Sequence, residues 1–310
     1  MSPASRQRRC RVERRGFSHS NRLATPPRPS SPGTADVSVN IPSRSLVRSG
    51  GLWQPRLIGD VSYPDDGNES CLQVEDRSYW FRHRNACILA VVGRHPPAGP
   101  IYDVGGGNGF VSLAIKSAGH EVVLVEPGSG ALNGLRRGIQ NVVRSTLADA
   151  AFEPGSIDAV GIFDVVEHVE HDVAFLTMIH DVLKPRGLVY CTVPASPWLW
   201  SAEDVHAGHY RRYTARSLRA AMQAAGLRVE FVSSFFTWLS LPVFAFRTLP
   251  SRVARLRPPA ERRGSLEADH SLSPFLNGVV QRVHAWELGR ISRGARLRGG
   301  TSLICVARRG

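Results

Sequence analysis

An α/β fold with a doubly wound, mostly parallel sheet is predicted for this 310-residue chain. Three observations predict it. From about residue 100 onward, short apolar runs alternate with segments of helical periodicity, the pattern of strands joined by crossover helices. The run Ile157 to Phe163 is almost wholly apolar, as a strand covered on both faces should be. The run Ile101 to Val104 ends in Gly105-Gly106-Gly107-Asn108-Gly109, a glycine turn that opens a helix.

The elements follow in order. Residues 1 to 50 are rich in Arg, Ser and Pro and poor in aromatic side chains; they bury too little apolar surface to offset ordering entropy and read as a disordered basic tail. Tyr79-Trp-Phe-Arg-His-Arg84 is an aromatic and basic cluster ahead of the first strand. Phe110, Leu113, Ala114 and Ser117 recur at helical spacing until Gly119. Glu121 to Val125 is a second strand ending at Glu126, Val142-Val143 a short third and Ile157 to Phe163 the fourth. A helix across Val173, Leu176, Ile179 and Leu183 meets its stop at Lys184-Pro-Arg-Gly187, before a fifth strand from Leu188 to Val193. Thr214 can cap a helix that ends at Gly226, Arg228 to Ser233 is a sixth strand, and Ser302 to Ala307 is the last.

Composition excludes several classes. There are 39 Lys+Arg against 26 Asp+Glu, a formal +13, but the excess is uneven. Residues 1 to 50 carry 10 Arg against Glu13 and Asp36, and residues 236 to 310 carry 13 Arg against four acids, whereas 51 to 235 hold 16 basic and 20 acidic groups. An acidic middle argues against a nucleic-acid partner. Five cysteines without a C-x-x-C pair support neither a disulfide framework nor a zinc knuckle, and no metal is expected. No run of ~18 apolar residues predicts a membrane span, and no apolar signal region stands at the start, so a cytoplasmic location is expected.

The glycine turn does not fit dinucleotides, because with Gly105 and Gly107 as the first two glycines Phe110 occupies the third position of G-x-G-x-x-G. Asp103 inside the strand end would repel a pyrophosphate and suits an ammonium or sulfonium group. Glu126, 23 residues after Asp103, closes the second strand, where a carboxylate can accept ribose hydroxyls. Asp149 precedes the fourth strand and could accept from an adenine amino group. A cationic amino acid, a ribose and a base, in chain order, describe S-adenosyl-L-methionine.

Asp103-Val-Gly-Gly-Gly-Asn-Gly109, Glu126, Leu147-Ala-Asp149-Ala150, Asp158-Ala-Val-Gly-Ile-Phe-Asp164-Val-Val-Glu-His168 and Leu183-Lys-Pro-Arg-Gly187 resemble the successive motifs of class I S-adenosylmethionine-dependent methyltransferases, in particular the small-molecule group that includes quinone-pathway enzymes. The resemblance covers roughly 70 to 235 plus the last strand. It implies a Rossmann-like, seven-stranded sheet with an antiparallel final strand. It also implies that Asp103, Gly105, Gly107, Asn108 and Gly109 hold the methionine end, Glu126 with Pro127 the ribose, and Asp149 with Ala150 the adenine, with Asp164 beside them. Gly106 stands where Cys, Ala or Ser is common.

The acceptor side is expected beyond the fourth and fifth strands. The loop from Pro194 to Thr214 is dense in aromatic and titratable groups; His209 is the candidate base and His168 a candidate positioning group or base. Tyr210, Arg211 and Arg212 could hold an anionic acceptor. The methyltransferase domain is thus expected over 70–310, with a core of 99–234 and 301–310 and an inserted segment of 235–300. The insertion opens with twelve mostly apolar residues, 235–246, followed by Arg247, Arg252, Arg255 and Arg257. It reads either as a helical cap or dimer contact, or as a peripheral segment, 235–257, lying in an anionic membrane interface. The expected acceptor is small or lipid-linked; the competing reading is a cofactor-binding scaffold without turnover.

Overall fold

The computed structural model describes residues 39–55, 72, 75, 78–254 and 274–310. Among the described residues nine strands make one sheet: β1 Leu46–Ser49, β2 Leu52–Pro55, β3 Ile101–Val104, β4 Val122–Val125, β5 Val142–Val143, β6 Ile157–Phe163, β7 Leu183–Pro194, β8 Leu227–Phe235 and β9 Ser302–Arg309. Their order is β1-β2-β5-β4-β3-β6-β7-β9-β8. β3 pairs in parallel with β4 on one side and β6 on the other, so the chain winds outward in both directions from it. That reversal marks a crevice at the carboxyl ends of β3 and β6, where Asp103 to Gly109 and Asp164 to His168 lie, while Glu126, Asp149 and His209 follow β4, β5 and β7. β9 runs antiparallel between β7 and β8, as the resemblance implied.

Period-two alternation sends consecutive strand residues to opposite layers. Tyr102, Val104, Val123 and Ile162 pack with Leu176 and Ile179 of α4 (Asp172–Val182) and Leu218 and Met222 of α6 (Ala215–Ala224). Ile101, Val122, Leu124 and Ala159 pack with Ile88 and Val91 of α1 (Tyr79–Arg94) and Val111 and Ile115 of α2 (Phe110–Ser117). Thr214 caps α6, its Oγ1 accepting the Ser217 N–H at 3.0 Å, and Gly226 ends it at φ +80°. The remaining helices are α3 (Gly130–Arg136), α5 (Ala202–His206), α7 (Ser240–Val243), which continues through a π turn (Phe244–Thr248) into α8 (Leu249–Ala254), and α9 (Pro274–Ser292).

Two strands more than expected are present. The β1–β2 hairpin joins the β5 edge through Trp53 opposite Val143, and the Arg144 N–H donates to the Trp53 carbonyl at 2.7 Å. The expected disordered tail of 1–50 therefore overreaches at its end: buried Ile41 and Leu46 supply apolar contacts that the mean composition of the stretch conceals. Residues 1–38 lie outside the described residues. β7 begins at Leu183, with Arg186 at φ +66° and a register shift against β6, so Lys184 to Gly187 is an irregular strand start where a helix stop was expected. In α9, among the residues whose burial is described, Val280, His284, Glu287 and Ile291 are buried, while Val279 and Trp286 are exposed. The helix is turned this way because Glu287 accepts the Phe236 and Thr237 N–H groups just past β8, at 2.8 and 2.9 Å.

Candidate active site

Asp103 lies one residue before the end of β3 and is fully buried. Its Oδ2 accepts the Ser112 hydroxyl of α2 at 2.6 Å, and its Oδ1 has no partner among the described residues. Burial pushes its carboxyl up to about 6, against the Ser112 bond and the Arg84 charge, which lower it. A buried carboxylate with one bare oxygen favours a cationic visitor. The loop beyond it turns through Gly105, Gly107 and Gly109 at φ +70°, +53° and +74°, values that L side chains adopt at a cost. Gly106 is also crowded: a Cβ there would lie 2.5 Å from Leu124 Cδ1 and 2.7 Å from Asp103 Oδ2, which accounts for glycine where the family commonly has a small side chain.

Glu126, just past β4, is buried and bridges two loops, Oε2 accepting the Gly107 N–H and Oε1 the Gly128 N–H, each at 2.9 Å. Half-buried Pro127 lies between Glu126 and the turn. Asn108 is turned inward: its Oδ1 accepts from Asn133 of α3 at 2.9 Å, and its Nδ2 reaches Glu75. Half-buried Asp149 folds onto its own turn, with Oδ2 accepting the Thr146 hydroxyl at 2.8 Å. Ala150 is fully buried, its N–H donating to Thr146 and its carbonyl accepting the Ser43 hydroxyl at 2.6 Å. The N-terminal segment thus braces the turn expected at the adenine.

Asp164 leaves β6 at φ +57°, and its Oδ2 pairs with Arg84 Nη1 of α1 at 2.5 Å while Oδ1 accepts the Thr192 hydroxyl at 3.1 Å. Arg84 lies under Trp80 and Phe81, its guanidinium carbon 5.2 Å from each ring centre, and its buried Nε has no partner among the described residues. Sequence reasoning missed this arginine; its one local signal was its place in the aromatic cluster. Glu167, given no role beside His168 in the sequence reading, is fully buried, and burial and Asp164 raise its carboxyl well above its usual range.

His168 and His209 meet edge to face, with ring centres 4.8 Å apart. Burial and the neighbouring His209 lower His168 to about 4, so it is neutral at neutral pH. His209 Nδ1 is 2.9 Å from Asp204 Oδ1, and Arg212 Nε donates to the same oxygen at 2.8 Å. Burial raises the Asp204 carboxyl, but the bonds from His209 and Arg212 outweigh it and hold the group below its usual range. One donor atom each from Glu167, His168 and His209 lies within 4.8 Å of the others, a grouping with cation-ligand chemistry that the expectation of no metal did not foresee. Arg212 also donates to the Ala195 carbonyl, and Arg211 pairs with Asp172 at 2.9 Å, so both hold the loop together, while Tyr210 is exposed at the rim.

A doubly wound sheet with a buried acid at its first crossover strand, a glycine loop and a second acid after the next strand defines a class: α/β proteins that take a cationic, nucleoside-containing ligand at the carboxyl edge. The comparison with known families places the chain within it. A methyltransferase-domain family matches residues 77–231, half of the 310, and the chain belongs to that family. A ubiquinone biosynthesis O-methyltransferase of Ruegeria pomeroyi is 36% identical over 98 residues, covering 30% of this chain and 40% of that protein. A protein of Mycolicibacterium smegmatis named for S-adenosylmethionine-dependent methyl transfer is 23% identical over 171 residues, 54% of this chain and 66% of that one. The chain thus spans about two fifths of the length of the ubiquinone-biosynthesis relatives it matches. In fold it is similar to a Haloferax volcanii methyltransferase solved with the activator Trm112, at TM-score 0.50 and 18% identity over 79% of this chain and 95% of that one. The residues present fit the family's cofactor, S-adenosyl-L-methionine: the Oδ1 of Asp103, without a partner among the described residues, favours a positive charge, and the positive-φ glycines make the tight turn that carries the chain from β3 into α2.

Proposed function

We propose that this chain transfers a methyl group from S-adenosyl-L-methionine to a hydroxyl of a small-molecule or lipid-linked acceptor, with His209 taking the proton. The observation that carries the reading is the Asp204–His209 bond at 2.9 Å, set where His209 also meets His168 at the end of β6. The cofactor, when bound, supplies a methyl group made electrophilic by a positively charged sulfur. Asp103 and the Gly105–Gly109 backbone would hold its methionine end, beside Arg84, with Glu126 at the ribose and Asp149 at the adenine. His209, gripped through Nδ1, presents Nε2 to the acceptor hydroxyl. Asp204 then neutralises the imidazolium as it forms, and Arg212 keeps Asp204 in place. His168, kept neutral, crowds that ring without competing for its charge. A base is needed only for a poor nucleophile, so the dyad favours a hydroxyl or phenol over an amine, in keeping with the O-methyltransferase relatives. An inert scaffold has no use for a carboxylate-oriented imidazole. The insertion, 235–257, is the peripheral contact for a lipid-linked acceptor.

Transfer of labelled methyl across a panel of phenolic and lipid-linked hydroxyl acceptors tests the reading. His209→Gln is expected to lower kcat about 100- to 1,000-fold while S-adenosylhomocysteine affinity changes less than about twofold. An undiminished rate in that variant removes His209 as the base. Failure of the full chain to bind S-adenosylhomocysteine removes the enzyme.

A further inference from the structure

The helical run from Ser240 to Ala254 is amphipathic the wrong way round for a soluble helix. Its inward contacts are polar: the Ser240 hydroxyl donates to the Gly299 carbonyl, the Thr248 hydroxyl to the Leu199 carbonyl at 3.0 Å, and the Ser251 hydroxyl accepts the Ala202 N–H at 2.9 Å. Its outward residues, Arg252 apart, are apolar: Leu241 is 76% exposed, Phe246 80%, Leu249 48% and Val253 50%, with Ala245 exposed among them. Leu241, Ala245, Leu249 and Val253 stand four apart, a spacing that drifts about 40° per step around an α-helix. The π turn at Phe244–Thr248 takes back part of that drift and keeps the four on one side. An outward apolar stripe of this kind marks a surface that meets something apolar.

We infer that this stripe is a docking face for an anionic lipid bilayer, which positions the acceptor loop at the membrane surface. Charge selects the occupant. From Phe236 to Ala260 the sequence holds Arg247, Arg252, Arg255 and Arg257 and no acid. Over 236–260 the sequence is net +4, so two copies of the segment meeting face to face would repel, whereas anionic headgroups answer both the apolar stripe and the positive segment that carries it. No described helix is long and apolar enough to cross a membrane, so the run lies along the surface.

The stripe is joined to the proposed active site through the acceptor loop. Arg252 donates to the Trp198 carbonyl at 2.8 Å, Phe244 packs on the Trp198 ring at 5.3 Å, and Trp198 and Val205 are themselves 45% and 58% exposed. The loop that carries Asp204 and His209 is therefore seated on the docking helix. This deepens the proposed function and rests on it in one respect, that the acceptor reaching His209 is carried by the lipid.

Flotation of the full chain with vesicles of phosphatidylcholine alone, or with about 30% phosphatidylglycerol added, tests it. The expected result is binding to the anionic vesicles, weakened by salt, and reduced about tenfold or more in Phe246→Asp and in Leu249→Asp. S-adenosylhomocysteine binding by the same variants, unchanged from the unaltered chain, keeps a folding defect from passing for a docking defect. An unaltered chain that stays with the soluble fraction overturns the proposal. So does vesicle binding that Phe246→Asp leaves intact, or a dimer dissolved by Phe246→Asp without any vesicle binding. Vesicle binding that persists in a chain unable to bind S-adenosylhomocysteine leaves the docking face standing and removes the methyltransferase reading alone.

Discussion

Asp103 is held at odds with its own stability. Burial lifts its folded-state pKa to about 6 from an ordinary 3.8, so below about pH 6 the folded chain without ligand carries the neutral acid, and this group's contribution to stability declines as pH rises from about 3.8 through about 6. A cationic cofactor needs the opposite form. S-adenosylhomocysteine affinity is therefore expected to fall as pH drops below about 6, with proton release on binding in that range, both read by calorimetry in two buffers of different ionisation enthalpy. Asp103→Asn should raise the melting temperature of the ligand-free chain, because the amide oxygen can still accept from Ser112, and weaken S-adenosylhomocysteine about 100-fold through loss of the charge. A variant that both melts lower and binds normally would show that the carboxylate faces no ligand.

At the scale of elements, the glycine loop and α3 are packed backbone to backbone. A Cβ on Gly130 would lie 2.5 Å from the Gly107 carbonyl oxygen and 2.6 Å from its carbon, and backbone cannot rotate away as a side chain would. Gly130→Ala should cost about 1–3 kcal/mol of stability by overpacking and displace the loop, so that cofactor affinity falls by a larger factor than any loss of folded population explains. Urea melts alongside calorimetry separate the two. This contact also shows what the sequence made legible. Asp103, the three positive-φ glycines and Glu126 were readable because strand, turn and acid follow one another along the chain and the chemistry is local. Arg84 was not, since its partner Asp164 is 80 residues away. Nor was the face of α9 that turns inward, because its buried side carries His284 and Glu287, which a search for apolar stripes passes over. The β1–β2 hairpin escaped for a third reason: a four-residue strand buried only at Leu46 carries no alternating pattern and little signal inside an arginine-rich stretch.

At the scale of the whole molecule, Glu287 joins parts that the chain order keeps far apart. Its buried carboxylate meets His83 of α1 at 2.7 Å, accepts the Phe236 and Thr237 N–H groups beyond β8, and takes the Thr237 hydroxyl at 2.8 Å. Burial alone would raise its pKa, but the bonds from His83, Thr237 and Phe236 hold it below the ordinary 4.5. A depressed acid stabilises the fold above its unfolded value, and that contribution is lost as pH falls through the folded one. His284 stacks on His83 with ring centres 3.8 Å apart, and burial lowers it to about 4, so His284 brings no positive charge into the stack at neutral pH. α1 carries His83 in this clasp and, one residue on, Arg84 in its pair with Asp164, so the helix between β8 and β9 helps to set how α1 lies over the crevice. Glu287→Gln keeps the shape and removes the charge; it should lower stability by about 3 kcal/mol in a urea melt and weaken S-adenosylhomocysteine binding, although Glu287 stands outside the proposed site. Arg84→Lys should weaken binding with a smaller loss of stability, because it leaves the clasp whole. If Glu287→Gln destabilises the fold yet binds S-adenosylhomocysteine like the unaltered chain under conditions where both are fully folded, α1 is positioned without the insertion, and the segment between β8 and β9 serves location alone.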